Sequence, residues 1–110
     1  SVDNAPNANG TEVYYADSNN GNAYGTTSEK LATNILNRML YYMGSTNRGV
    51  KTAEHAVTKR CEMPAALTEV GFITNPTEVY NMTTDEYQYK AAQGIAEGIM
   101  ITLKDINVPQ

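Results

Sequence analysis

The chain is poor in several residue types. Its 110 residues hold one cysteine, one histidine, one phenylalanine and no tryptophan. A lone Cys61 excludes an internal disulfide, and the count leaves the redox compartment open. As a nucleophile Cys61 would need His55, six residues away across an expected strand and turn. That arrangement matches no thiol-catalysis pattern, so Cys61 reads as a small half-buried side chain. No apolar run approaches the roughly 20 residues of a membrane span. Eight Lys and Arg face twelve Asp and Glu, and the net charge of −4 argues against nucleic acid or an anionic membrane as partner. The opening residues, SVDNAPNANG, are polar and are not a signal peptide, which leaves location open if the chain is a piece of something longer.

What is present suits one domain. The apolar fraction of 41% supports a core, and 18% charged residues argue against a disordered chain. TEVYYA (11–16) alternates Glu12 and Tyr14 against Val13 and Tyr15, a strand pattern. A turn-rich loop follows, then a helix opened by Thr26 and Glu29 as a capping box. Leu31, Ile35, Leu36, Met39, Leu40 and Met43 give that helix one apolar face, and Gly44 stands where a C-terminal glycine belongs. STNRGVK reads as a polar loop and AEHAVTKR as room for a short strand. Asn75-Pro76-Thr77-Glu78 starts a second helix. Thr83 and Glu86 cap a third, which carries Tyr87, Ala91, Ile95, Ile99, Leu103 and Ile106 on one face. Gly94 and Gly98 in it are spaced for close approach to a sheet. The strand–helix–strand order implies an α/β fold with a mostly parallel sheet and helices packed on it, the second half of a larger domain.

One stretch resists a purely structural account. ALTEVGFITNP (66–76) is apolar enough for a strand covered on both faces and too apolar for a sheet edge. Glu69 interrupts it with a carboxylate, whose burial without a partner costs several kcal/mol, on the order of the figures for buried ions. Either Glu69 pairs with Arg48, Arg60 or a lysine, or it serves chemistry at a cavity mouth.

GTEVYY, NRGVKTAEHAV, MPAALTEVGFITNPTE and AAQGIAEGI follow, in order and spacing, the C-terminal half of the zinc-dependent N-acetylmuramoyl-L-alanine amidases. The likeness runs from about Gly10 to Ile101. By this resemblance the chain, residues 1–110, is the C-terminal portion of one amidase catalytic domain, a peptidoglycan hydrolase acting outside the cell or at its wall. The resemblance implies cleavage of the amide between N-acetylmuramic acid and L-alanine, with Glu69 as general acid/base at a strand's carboxyl end and Gly71 leaving space beside it. It implies that Asn47 and Arg48 bind substrate near the peptide carboxylates, although a turn plus an arginine tying down the sheet fits them equally. Asn75 reads as a helix cap, and the eight tyrosines as sheet packing or as stacking surface for sugar rings.

The resemblance also implies a zinc ion in the complete domain, with ligands this chain does not supply. Asp3 either replaces a zinc histidine or lies just after one. His55 is expected to face solvent or substrate, outside any metal site. The chain alone is therefore expected to be inactive and to associate with a missing N-terminal half or with another copy. The expected partners are the peptidoglycan stem peptide and glycan. Two rival readings are a degenerate amidase domain that binds cell wall without cutting it, and an unrelated small interaction domain.

Overall fold

The computed structural model describes residues 7–21 and 24–106. Asp3 and the close of the chain lie outside them, so the choice between the two placements of Asp3 is not addressed. The described residues form β1 (Thr11–Tyr15), a 3-10 turn (Asp17–Asn19), α1 (Ser28–Met43), β2 (Asn47–Thr52), α2 (Ala56–Lys59), β3 (Leu67–Glu69), α3 (Pro76–Met82) and α4 (Asp85–Asp105). The α/β class is as expected.

The sheet is mixed, in the order β2-β1-β3. β1 runs parallel to β2 and antiparallel to β3. β3 is thus an edge among the described strands and is three residues long, against the long covered strand expected from its composition. Its residues are half-buried and the apolar run continues past it, leaving Ile73 61% exposed. The second strand also lies elsewhere than expected. It occupies NRGVKT, and the following AVTK is one helical turn, opened by His55, whose carbonyl accepts from the Thr58 and Lys59 N–H groups. An edge strand hydrogen-bonded on one side needs few apolar residues, and Val50 alone packs on the core cluster from β2.

The core lies between one sheet face and α1. Val13 and Tyr15 from β1 meet Ala32, Ile35, Leu36 and Met39 of α1 and Ala91 of α4. α1 ends at Gly44, whose φ of +65° and N–H to the Leu40 carbonyl (2.9 Å) make the left-handed cap. At its start Thr27, not Thr26, caps the helix by accepting from the Lys30 N–H at 3.1 Å. Glu29 does not reach back; it accepts from the Tyr15 hydroxyl at 2.7 Å. α4 repeats the one-residue offset. Thr83 closes α3 in helical conformation, so Thr84 takes the cap and accepts from the Tyr87 N–H.

Gly94 and Gly98 approach a helix rather than a sheet. A Cβ on Gly94 would stand 2.5 Å from the Met39 Cα, and one on Gly98 2.4 Å from the Ile35 Cα. The buried stripe of α4 is accordingly Ala91, Gly94, Gly98 and Thr102, rotated from the expected one, and Ile99 is exposed. Asn34 Nδ2 donates to Thr102 Oγ1 at 2.9 Å, and Arg38 pairs with Glu97 at 3.1 Å across the same junction.

Candidate active site

Alternation along β1 divides the sheet into two faces. Val13 and Tyr15 point to α1, which leaves Glu12 and Tyr14 on the other side. The registers extend that face. Glu12 stands opposite Glu69, and Tyr14 stands opposite Leu67 of β3 and beside Lys51 of β2. Arg48 joins them through its Nε, 3.3 Å from Glu12 Oε2. The result is a charged sheet face built from all three strands.

Glu12 is the centre of that face and is only 4% exposed. It accepts hydrogen bonds from Lys51 Nζ, from Arg48 Nε and from the Tyr14 hydroxyl at 2.8 Å. Burial pushes the Glu12 carboxyl up, but these three donors outweigh it and hold the carboxyl below its usual range. Tyr14 moves the other way. Burial, its bond to Glu12 and the charges of Glu12 and Glu69 push its hydroxyl up to about 12. The His55 ring meets Tyr14 edge-on, with centroids 5.3 Å apart, and its Nδ1 is buried without a hydrogen-bond partner. His55 is therefore half-buried against the sheet rather than freely solvated.

Glu69 ends β3, half-buried, at the same end of the sheet as the start of β1. The segment after it is tightly held. Glu78, 8% exposed, accepts from the Gly10 and Phe72 N–H groups, each at 2.9 Å. Gly71 does not leave an open space there, because a Cβ on it would meet the Glu78 carboxyl carbon and the Met82 sulfur at 3.3 Å. Asn75 caps α3 through the Thr77 and Glu78 N–H groups, and its Nδ2 donates to the Ala8 carbonyl at 3.2 Å. The Arg48 guanidinium lies over the Phe72 ring, 4.6 Å from its centroid.

The structure thus brings Arg48 and Glu69 to one face, with Glu12 of the middle strand between them. Asn47 is exposed at the start of β2, and its Oδ1 accepts from the Gly49 N–H at 2.8 Å, where Gly49 takes φ +88°. Its side chain is occupied in the local turn. Glu12, Tyr14 and Lys51 were not singled out from sequence as site residues, although the TEVYY alternation already puts Glu12 and Tyr14 on one face. Glu78 read only as a first-turn helix carboxylate.

No group of three His, Cys, Asp or Glu side chains able to hold a metal ion occurs among the described residues. The described donors do not fit a zinc centre, since no two further His, Cys, Asp or Glu side chains among them gather with His55.

Comparison with known proteins resolves the family. A family model described as N-acetylmuramoyl-L-alanine amidase matches residues 1–100. The chain belongs to the N-acetylmuramoyl-L-alanine amidase family. This amidase-family chain is 37% identical over 90 residues to the N-acetylmuramoyl-L-alanine amidase LytC of Bacillus subtilis, covering 82% of itself and 17% of LytC. It is 36% identical over 92 residues to YqiI of the same organism, an uncharacterized protein, covering 84% of itself and 43% of YqiI. Among solved structures it is similar to the catalytic domain of CwlV, an N-acetylmuramoyl-L-alanine amidase of Bacillus (Paenibacillus) polymyxa var. colistinus. There the TM-score is 0.82 at 31% identity, over 94% of this chain and 54% of CwlV's. The chain spans less than half the length of these curated relatives and about half of that catalytic domain.

Proposed function

We propose that this chain is the C-terminal portion of an amidase catalytic domain that hydrolyses peptidoglycan at or outside the cell surface. The bond cut is the amide between the lactyl carbonyl of N-acetylmuramic acid and the nitrogen of L-alanine. The observation that carries this is the family match over residues 1–100, taken with Glu69 at a strand end on a charged face.

In this proposal Glu69 is the general acid/base. It takes a proton from the attacking water as oxygen bonds to the carbonyl carbon, then gives that proton to the leaving amine as the C–N bond breaks. The products are a muramic acid carboxylate and a stem peptide with a free L-alanine amino group. Arg48, fixed over Phe72 and against Glu12, offers a guanidinium to a carboxylate of the stem peptide. Asn47 shapes the adjoining turn. The glycan strand is the other part of the substrate.

Zinc is proposed for the complete domain only. The described residues supply no ligand cluster, and no step assigned to Glu69 is routed through a metal. The isolated chain is accordingly proposed to be inactive. β3, an edge among the described strands, and the exposed Ile73 beside it are where the remainder of the domain, or a second copy, is proposed to join.

The test is digestion of purified peptidoglycan by a complete domain carrying these residues. New amino groups on L-alanine without new reducing sugar ends support the proposal. Wall binding with no bond cleaved would select the degenerate binding domain instead. New reducing ends would overturn both.

A further inference from the structure

A pocket of about 360 Å³ opens between the end of α1, the loop into β2 and α3. Its volume stands near the lower end of the usual range for small-molecule sites, about 300–1,000 Å³. Amides and hydroxyls dominate its wall: Asn9, Ser45, Thr46, Asn75, Thr77 and Asn81. Part of this polar surface serves the fold. Ser45 Oγ bonds Thr11 Oγ1 at 2.7 Å, and Asn75 caps α3 and reaches the Ala8 carbonyl. Thr46 and Asn81 enter the fold's hydrogen bonds through their carbonyls, and Thr77 through its N–H. The Asn81 amide and two threonine hydroxyls are left to meet a ligand.

The chemistry of the wall selects that ligand. Among the described residues no lysine, arginine or histidine lines the pocket, so a carboxylate entering it would meet no cation and would approach the Glu78 carboxyl. An ammonium group would compete for the two Glu78 oxygens, each already taken by a backbone N–H. Tyr87, also on the wall, is neutral in the neutral pH range, because burial and then the charge of Glu78 hold its hydroxyl above the ordinary value. A neutral molecule with several hydroxyls and an amide meets neither obstacle, since side-chain amides and hydroxyls both donate and accept. Met43 and Tyr87 offer apolar surface to the C–H groups of such a molecule.

The pocket lies at the end of the sheet where Glu69 stands. Asn9 leads into β1, in which Glu12 is the register partner of Glu69. The Asn9 carbonyl also accepts from Arg48 Nη1 at 3.5 Å, so Asn9 borders both the pocket and the charged face.

We propose that this pocket holds one neutral N-acetylhexosamine ring of the glycan strand, with Asn81, Thr46 and Thr77 as its polar contacts. That the ring belongs to a cell-wall glycan rests on the amidase reading; that the pocket takes a neutral sugar rests on its wall. The stem peptide, with its carboxylates, lies on the Arg48 side of Asn9.

The test is an NMR titration of the 110-residue chain with N-acetylglucosamine, followed through the nitrogen–proton signals of the side-chain amides. The Asn81 and Asn9 amides should shift saturably, with a Kd on the order of 1 mM. Asn81→Ala and Thr46→Val should each weaken binding by at least about tenfold. The acidic dipeptide L-alanyl-glutamate should leave these signals in place. No saturable shift with the sugar, shifts with the dipeptide instead, or unchanged sugar affinity in the variants would overturn the proposal. Should either variant lose its fold, Thr77→Val at an exposed position decides. The readout needs no bond cleavage. A complete domain that released reducing ends and no L-alanine amino groups would sink the amidase reading with sugar binding intact, whereas an active amidase whose pocket ignored the sugar would sink this inference alone.

Discussion

Gly98 of α4 lies on the backbone of Ile35 of α1, so close that an added Cβ would stand 2.4 Å from the Ile35 Cα. The obstacle is backbone, which cannot rotate away. Gly98→Ala would gain the usual helix preference for alanine, about 1 kcal/mol, yet must push two helices apart at their tightest point. Overpacking of this kind costs about 1–3 kcal/mol. The expected outcome is a net loss of stability, read as a lower urea midpoint at unchanged slope. Gly94→Ala should behave alike, against Met39.

Glu78 joins two distant pieces of backbone, the Gly10 and Phe72 N–H groups, through one carboxylate. Each is a hydrogen bond to a charged acceptor, worth about 1.5–3 kcal/mol. Glu78→Gln keeps the size but loses the charge and offers an amide where an acceptor is needed. Urea unfolding should show a loss of about 2 kcal/mol or more, with Glu78→Ala worse because both donors are then orphaned.

The fold was legible where a local rule had no competitor. Gly44 at the end of α1 and Asn75-Pro76 at the start of α3 are each set by backbone geometry that few other residues satisfy. Paired threonines at 26–27 and 83–84 defeated the cap assignment, since either residue has the right side chain and tertiary contacts decide. β2 was missed because an edge strand needs no apolar pattern. The glycines of α4 announced close packing, but against a sheet, where the structure has α1, because the spacing alone does not tell a sheet from a helix. At the site, Glu69 stood out as a charge in an apolar run, whereas Glu12 looked like ordinary strand alternation. Only the strand register puts the two opposite each other.

Tyr14 and Tyr15 should be the late members of the tyrosine titration. Both hydroxyls are pushed up to about 12, Tyr14 first by burial and Tyr15 first by its bond to Glu29. The ordinary value is about 10. A group raised on folding adds stability that is complete below its unfolded value and is lost as pH climbs through the folded one. Stability should therefore fall between about pH 10 and 12. Ultraviolet titration of Tyr14→Phe and of Tyr15→Phe should each remove one late proton.

Elemental analysis of the purified 110-residue chain should find zinc well below one ion per chain. His55 is the one histidine of the sequence, and among the described residues no two further His, Cys, Asp or Glu side chains gather with it. A full equivalent of zinc in a monomer would require His55, Glu69 and Asp3 to be reconsidered as ligands.

The most direct measurement compares a complete amidase domain carrying these residues with its Glu69→Gln variant, by the rate of L-alanine amino-terminus release from peptidoglycan. A positioned proton-transfer group contributes about 100- to 10,000-fold, so the variant should fall by at least about 100-fold with its fold unchanged. A folded Glu69→Gln domain that cuts at the parent rate would contradict the assignment of Glu69.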